Sequence, residues 1–390
     1  QTLRGPHTKL EKQAQPRSLA AVAALITATA TKMGCVMSTA IGCMLCNHSC
    51  SVAKLAATLS FFPPNPPSYT VEQTADGECR LKFTNDEMQK AVNNLSHRTV
   101  QSSVHKLTTN RGETIVLMHF TCPGAQTTLL WSHGNAMDVG EMYFFFMQLS
   151  DRLKVNIAAY DYSGYGGSTG SPSEPNAYAD ILAVHDFLAE AGVETERHLV
   201  LYGQSIGSAP STWLATRRRV LGLILHTPLL SGLRVLIKPA GCCTLAGCCS
   251  PTCVYGLCDP FPNKDRIRRV TCPILFVHGT ADQTIECSHT VELYRRAPPE
   301  HRRAPFIIKG AGHDNVVEHD PGAYFAQIGA FLRALPGNDA SDAALPGDMP
   351  AQPVEPPPTP GALAARYERL LLEAAPACAS PDAHAASGRR

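Results

Sequence analysis

The stretch His198-Leu-Val-Leu-Tyr-Gly-Gln-Ser-Ile-Gly-Ser208 restricts what this chain can fold into more than any other. Leu199 to Tyr202 is a short apolar run of strand length. It passes into Gly203-Gln-Ser-Ile-Gly207, and a helix-compatible segment follows to about Thr216. A strand that turns sharply into a helix leaves little room beside the turn, so glycines flank Ser205 where the chain passes closest to itself. The G-x-S-x-G spacing fits a strained strand–turn–helix that presents a serine hydroxyl. Glycine and serine are also common in plain loops. The pentapeptide therefore gains meaning only if the chain supplies a base and a matching sheet.

The sheet is legible as alternation. Thr127 to Ser132, Val155 to Tyr160, the elbow run, Val220 to Leu225, Pro273 to Val277 and Pro305 to Ile308 read as strands. Between and after them, Glu141 to Leu153, Asn176 to Glu190, Cys287 to Arg296 and Ala323 to Leu335 read as helices. Apolar strands separated by helices predict an α/β fold, a mostly parallel central sheet with helices on both faces. Ahead of these, Val100 to Leu107 and Thr114 to Phe120 read as strands. A hydrophobic fraction of 44% over 390 residues suffices for a large core.

In such sheets functional residues gather at the carboxyl ends of the strands. His133-Gly-Asn135, Ser205, Asp282 and His313 each follow a different strand. The order Ser, Asp, His is that of the alpha/beta-hydrolase fold. Ser205 is a poor nucleophile unless a base takes its proton. His313 has the right pKa class, and Asp282 would fix its tautomer. The oxyanion of a tetrahedral intermediate needs preorganised N–H donors. Ile206, which follows the serine, and Asn135 are the candidates. Rival readings are blander: loop bracing for His133 and His278, a surface site for His319, backbone bracing for Asp161 and a helix start at Asp320. Asp138 and Asp314 read as solvated turn acids.

Net charge is +1, which gives nucleic acid no electrostatic foothold. No metal or nucleotide cofactor is needed by this chemistry, and the cysteine spacings fit zinc poorly. Fifteen cysteines are present, four of them at Cys35, Cys43, Cys46 and Cys50 and six between Cys242 and Cys258. The odd total and the clustering argue against a secreted disulfide framework. Two readings of the N-terminal region compete. Ser18 to Ala30 resembles a signal-peptide core, which would make the protein secreted. Met33-Gly-Cys-Val-Met-Ser38 fits the myristoylation pattern, with Gly34 as acceptor and neighbouring cysteines open to palmitoylation. Two or more acyl chains hold a protein stably on a bilayer, and this second reading is preferred.

Several motifs together resemble the alpha/beta hydrolase domain-containing protein 17 family. They are Phe61-Phe-Pro-Pro64, Ser132-His-Gly-Asn-Ala136, Asp161-Tyr-Ser-Gly-Tyr-Gly166, Tyr202-Gly-Gln-Ser-Ile-Gly207, His226-Thr-Pro-Leu-Leu-Ser-Gly232, Phe261-Pro-Asn263, His278-Gly-Thr280 and Gly310-Ala-Gly-His313. The resemblance implies a serine hydrolase that removes palmitate from cysteines of membrane-bound proteins, with Ser205, Asp282 and His313 as its triad. It also implies that Cys35, Cys43, Cys46 and Cys50 carry acyl chains, although they are spaced more loosely than a compact family cluster. The expected organisation is an N-terminal extension over 1–60, a hydrolase domain over 61–335 and a disordered Pro/Ala-rich tail over 336–390. An insertion at about 239–260 holds the six clustered cysteines where hydrolases build a lid. It reads either as a reduced, partly buried insertion or as a second membrane-contact patch. Phe144, Phe145 and Phe146 are candidate walls for an acyl chain, or simply core. The protein is expected as a monomer on the cytoplasmic face of the plasma or endosomal membrane, with S-acylated proteins as substrates. An esterase or lipase acting on small lipid esters is the alternative, and a non-catalytic membrane scaffold the more distant one.

Overall fold

The computed structural model describes residues 57, 60–74, 78–94, 99–236 and 259–336. Ten strands form one sheet: β1 (Tyr69–Gln73), β2 (Cys79–Phe83), β3 (Gln101–Thr108), β4 (Thr114–Thr121), β5 (Thr128–Ser132), β6 (Asn156–Tyr160), β7 (Leu199–Gln204), β8 (Gly222–His226), β9 (Ile274–Gly279) and β10 (Phe306–Ile308). Their spatial order is β1-β2-β3-β4-β6-β5-β7-β8-β9-β10. The first four are joined antiparallel, and β4 meets β6 antiparallel. From β6 to β10 every pairing is parallel. The mostly parallel sheet expected from the alternation of apolar runs is therefore present.

Side-chain alternation along the buried strands divides the core into two layers. Leu130, Leu201, Leu223, Leu225 and Phe276 point to one face, packed by Ile181, Val184 and Leu188 of the helix Glu174–Glu190 and by Leu214 of the elbow helix Ser208–Ala215. Leu129, Trp131, Tyr202, Ile224 and Val277 point to the other, covered by the helices Tyr143–Leu153 and Pro321–Arg333. Trp131 and Tyr202, partners in the β5–β7 register, stack with ring centroids 3.6 Å apart. Phe146 sits fully in this second layer against Trp131 and Phe120, so it is core and not a wall for a ligand. Phe145 lies edge-on to Trp131, and Phe144 is exposed.

Local chemistry sets the element ends. The helix Glu174–Glu190 starts two residues earlier than its apolar pattern suggests, because the Ser173 side chain accepts the Asn176 N–H and Pro175 suits the first turn. Asp320 caps the last helix by accepting from Ala323 N at 2.9 Å, the helix-start role expected of it. The helix Asp86–Asn93 was not legible among the neighbouring strands. It is short and buries no residue, and it is held by Asn85, whose side chain accepts from Glu87 N and Met88 N. Cys35, Cys43, Cys46 and Cys50, expected to carry acyl chains, lie outside the described residues, as do Gly34, the Ser18 to Ala30 segment and the six clustered cysteines. So does nearly all of the 336–390 tail.

Candidate active site

The chain reverses direction across the sheet at β5. The strand that follows it, β6, pairs on one side, and the next, β7, pairs on the other. In open α/β sheets such a reversal is where a site forms, outside the carboxyl ends of the strands. The loop after β5 and the turn after β7 meet there, so Ser205 and the His133–Asn135 loop are brought together by topology.

Ser205 has φ +54°, the left-handed region that costs a non-glycine residue roughly 1–2 kcal/mol. The flanking glycines make the turn possible. A Cβ on Gly203 would stand 2.6 Å from the Gly207 carbonyl oxygen, and one on Gly207 would stand 2.1 Å from the Ser132 carbonyl oxygen. Ser205–Gly207 forms a single helical turn that leads into the elbow helix. The Ile206 N–H is thus among the first amides of a helix, which have no carbonyl one turn earlier to pair with.

The other two loops converge on this hydroxyl. His313 Nε2 lies 3.0 Å from Ser205 Oγ, and His313 Nδ1 lies 2.7 Å from Asp282 Oδ2. Asp282 Oδ1 accepts from Thr284 N at 2.9 Å and Ile285 N at 2.8 Å, which fixes the carboxylate on its own turn. Burial by itself would raise the Asp282 pKa, but hydrogen bonds from His278 and His313 outweigh it and hold the carboxyl well below the usual range. An ionised Asp282 requires the proton of His313 on Nδ1. The Nε2 lone pair then faces Ser205, the arrangement a general base needs.

His278 performs a related task one layer further in. Its Nε2 is 2.9 Å from the Ile285 carbonyl oxygen and 3.2 Å from Asp282 Oδ2, two acceptors, so Nε2 carries the proton. Its Nδ1 then accepts from Thr290 Oγ1 at 2.7 Å. The bracing role expected of His278 thus falls on the acid of the relay. His133 is fully buried, with Nε2 3.3 Å from Asp161 Oδ1, and Tyr162 donates to its carbonyl at 2.7 Å. Asp161 also accepts from Val139 N at 3.1 Å and from the Tyr69 hydroxyl, which is backbone and loop bracing. Asp138, expected to be solvated, is fully buried instead. It accepts from Ser68 N at 2.7 Å and Glu141 N at 3.1 Å, donors that a turn viewed alone does not reveal. Asp314 and His319 are exposed, as surface residues.

Asn135 lies beside the serine turn, but its side chain is already committed. Oδ1 accepts from Phe62 N at 2.9 Å and from the Tyr165 hydroxyl at 2.7 Å, and Nδ2 donates to the Ser60 carbonyl at 2.7 Å. One N–H and the oxygen of the Asn135 carboxamide are thus bound within the lead-in and its loop, and the backbone N–H of Asn135, with that of Ile206, is the candidate oxyanion donor.

Sequence reasoning missed two further groups. The Tyr202 hydroxyl lies 2.8 Å from His226 Nδ1 and 2.7 Å from the Tyr324 hydroxyl, tying β7 and β8 to the last helix. His226 is buried, and burial together with His313 and His278 pushes its pKa down to about 3. Its place at the end of a strand was the available signal. Asn263 donates to Ser208 Oγ at 3.2 Å and to the Leu229 carbonyl at 3.0 Å, pinning the start of the elbow helix. Among the described residues no group of three or more His, Cys, Asp or Glu side chains could hold a metal ion.

Known proteins resemble this chain in sequence. Residues 129–252 match the alpha/beta hydrolase family. Alpha/beta hydrolase domain-containing protein 17B of Xenopus laevis is 39% identical over 296 residues, covering 74% of this chain and 94% of its own. The human 17B protein is 38% identical over the same shares, and the aho-3 protein of Caenorhabditis elegans 39% identical over 72% of this chain and 78% of its own. A Pyrococcus furiosus esterase of known structure aligns over 71% of this chain and 98% of its own at 15% identity, with a TM-score of 0.49. The chain belongs to the alpha/beta hydrolase domain-containing protein 17 family.

Proposed function

We propose that this hydrolase is a palmitoyl-protein thioesterase, with Ser205 as nucleophile, His313 as general base and acid, and Asp282 as the group that orients His313. The observation that carries the chemistry is the continuous relay Ser205–His313–Asp282, at 3.0 and 2.7 Å. Ser205 Oγ attacks the thioester carbonyl while His313 Nε2 takes its proton. The oxyanion is met by the backbone N–H groups of Ile206 and Asn135. Collapse breaks the C–S bond, and the proton on His313 passes to the departing sulfur. Water, deprotonated by His313, then attacks the acyl-enzyme and releases the fatty acid and Ser205. A thiolate leaves more readily than an alkoxide because its conjugate acid is far stronger.

The substrate class is supported by family membership and by the N-terminal cysteines. Cys35, Cys43, Cys46 and Cys50 are proposed to carry acyl chains that hold the enzyme on the cytoplasmic face of a membrane. Confining enzyme and lipidated substrate to one surface raises their effective concentration. Among the described residues no helix is long and apolar enough to cross a membrane. The same relay would also hydrolyse an oxyester, so the test is comparative. A palmitoylated peptide is expected to turn over with at least tenfold higher kcat/KM than a monoacylglycerol. Acyl-biotin exchange on the same preparation should label the four cysteines. Faster turnover of the glycerolipid, or no labelling, would overturn the respective part of this reading.

A further inference from the structure

The lead-in to the fold, Ser60–Phe62, is bonded to the loop that flanks Ser205. Phe62 N–H is shared between Asn135 Oδ1 and the Tyr165 hydroxyl oxygen, both at 2.9 Å, and the Tyr165 hydroxyl donates to Asn135 Oδ1 at 2.7 Å. The Asn135 amide returns a bond to the Ser60 carbonyl at 2.7 Å. Beneath this clasp Phe61 is buried edge-on against Tyr162, Tyr165 and Phe261, with centroids 5.7–6.4 Å away. The residues joined are more than 70 positions apart in sequence. The Asn135 oxygen and one of its two N–H groups are therefore taken up by these bonds.

The loop needs such support. Ala136 sits at φ +58°, a conformation that a residue with a Cβ adopts only when its surroundings impose it. Asn135 Oδ1 also accepts the Ala136 N–H at 3.0 Å, so one oxygen gathers the strap, Tyr165 and the strained residue. On its other side the loop is pressed on the elbow, where Gly207 leaves no room for a Cβ beside the Ser132 and His133 carbonyls.

We propose that Asn135 and Tyr165 are positioning residues. They clasp the Ser60–Phe62 strap to the loop after β5, and the strap holds the Asn135 backbone N–H where the oxyanion forms. This rests on the hydrolase reading above and adds that the N-terminal lead-in is a working part of the site. Cys50 is ten positions before Ser60. A chain held at a membrane through the upstream cysteines is therefore joined covalently to the strap, and through the strap's hydrogen bonds to the loop proposed to bear the oxyanion donor.

The test uses the full-length chain, wild type beside Tyr165→Phe and Asn135→Ala. Reactive serines are counted by fluorophosphonate titration carried to completion, and kcat and KM for a palmitoylated peptide are expressed per titrated serine. A donor displaced by about 1 Å costs on the order of 100-fold in rate. For Asn135→Ala, kcat per titrated serine is expected to fall about 10- to 100-fold, with a smaller fall for Tyr165→Phe and KM nearly unchanged. Hydrogen exchange over residues 60–62 and 133–137 should quicken together in both variants. A merely structural clasp would lower the fraction of titratable protein and leave kcat per titrated serine unchanged, and that result overturns the proposal. If Asn135→Ala does not fold, Tyr165→Phe carries the test, because its ring can still pack on Phe61. Active wild type with unaffected variants sinks this inference alone. Wild type that is neither labelled nor active sinks the hydrolase reading and this inference with it.

Discussion

Asp282 shows how much one carboxylate is asked to do. It accepts two backbone N–H groups on one oxygen and His313 on the other, with His278 3.2 Å away. Replacing it by asparagine keeps the shape and removes the charge. The amide would present an N–H to His313 Nδ1, favouring the tautomer with its proton on Nε2, which cannot accept from Ser205. The kcat of Asp282→Asn is therefore expected to fall about 10³- to 10⁴-fold at neutral pH, with KM little changed. Steady-state turnover of a palmitoylated peptide checks this, and a loss below tenfold would remove Asp282 from the relay. Ser205, Asp282 and His313 were legible in the sequence because each closes its own strand, a local signal. His226 and Tyr324 were not assigned a role: the end of β8 marks His226, but the partners of both are set by contacts that no local pattern encodes. Tyr202 and Tyr324 meet across 122 positions. Asp138 was misread for the same reason, since the donor that makes its burial tolerable, Ser68, arrives from 70 positions away.

The elbow is an element in which helix propensity and sterics disagree. Gly207 has φ −62°, within the helical range, so propensity alone would favour alanine there by about 1 kcal/mol. A Cβ would stand 2.1 Å from the Ser132 carbonyl oxygen, and that atom belongs to the backbone of a fully buried strand and cannot easily move. Sterics should win. Gly207→Ala is expected to destabilise the fold by roughly 3 kcal/mol, read as a lowered urea midpoint. An unchanged or raised midpoint would mean that β5 and the elbow are less closely packed than described. The elbow was legible because its glycines and serine are adjacent in sequence. The neighbouring supports were less so: Asn263 reaches Ser208 from beyond β8, and the Asn135 side chain turns away from the site toward Ser60.

At the scale of the whole molecule, the parallel half of the sheet carries the site while the antiparallel half extends it. The alternation of apolar runs with helices foretold the first. Of the second, Val100 to Leu107 and Thr114 to Phe120 were legible as β3 and β4, while β1 and β2 did not stand out, because they are half-exposed and lack a continuous apolar run. Burial across the sheet also ties stability to pH. Unfolded, the His226 imidazole takes up a proton as the pH falls through about 6.5. Folded, it stays neutral down to about 3, because it is buried with His313 and His278 nearby. Between those values the unfolded chain binds the extra proton, so stability falls as the pH falls. From pH 7 to pH 5 this one residue is expected to cost roughly 2 kcal/mol. Urea midpoints at the two pH values should show the loss, and His226→Asn should show a smaller one. Equal losses would mean that His226 protonates freely in the fold.

In the proposed reading, Ser205 opens a thioester at a membrane. The most direct measurement is palmitate released from membranes bearing S-acylated proteins, with wild-type protein set against Ser205→Ala at equal folded concentration. Wild type is expected to release palmitate and Ser205→Ala to remain at the level of buffer alone. Equal release by the two proteins, or none by wild type that fluorophosphonate labels at Ser205, would contradict it.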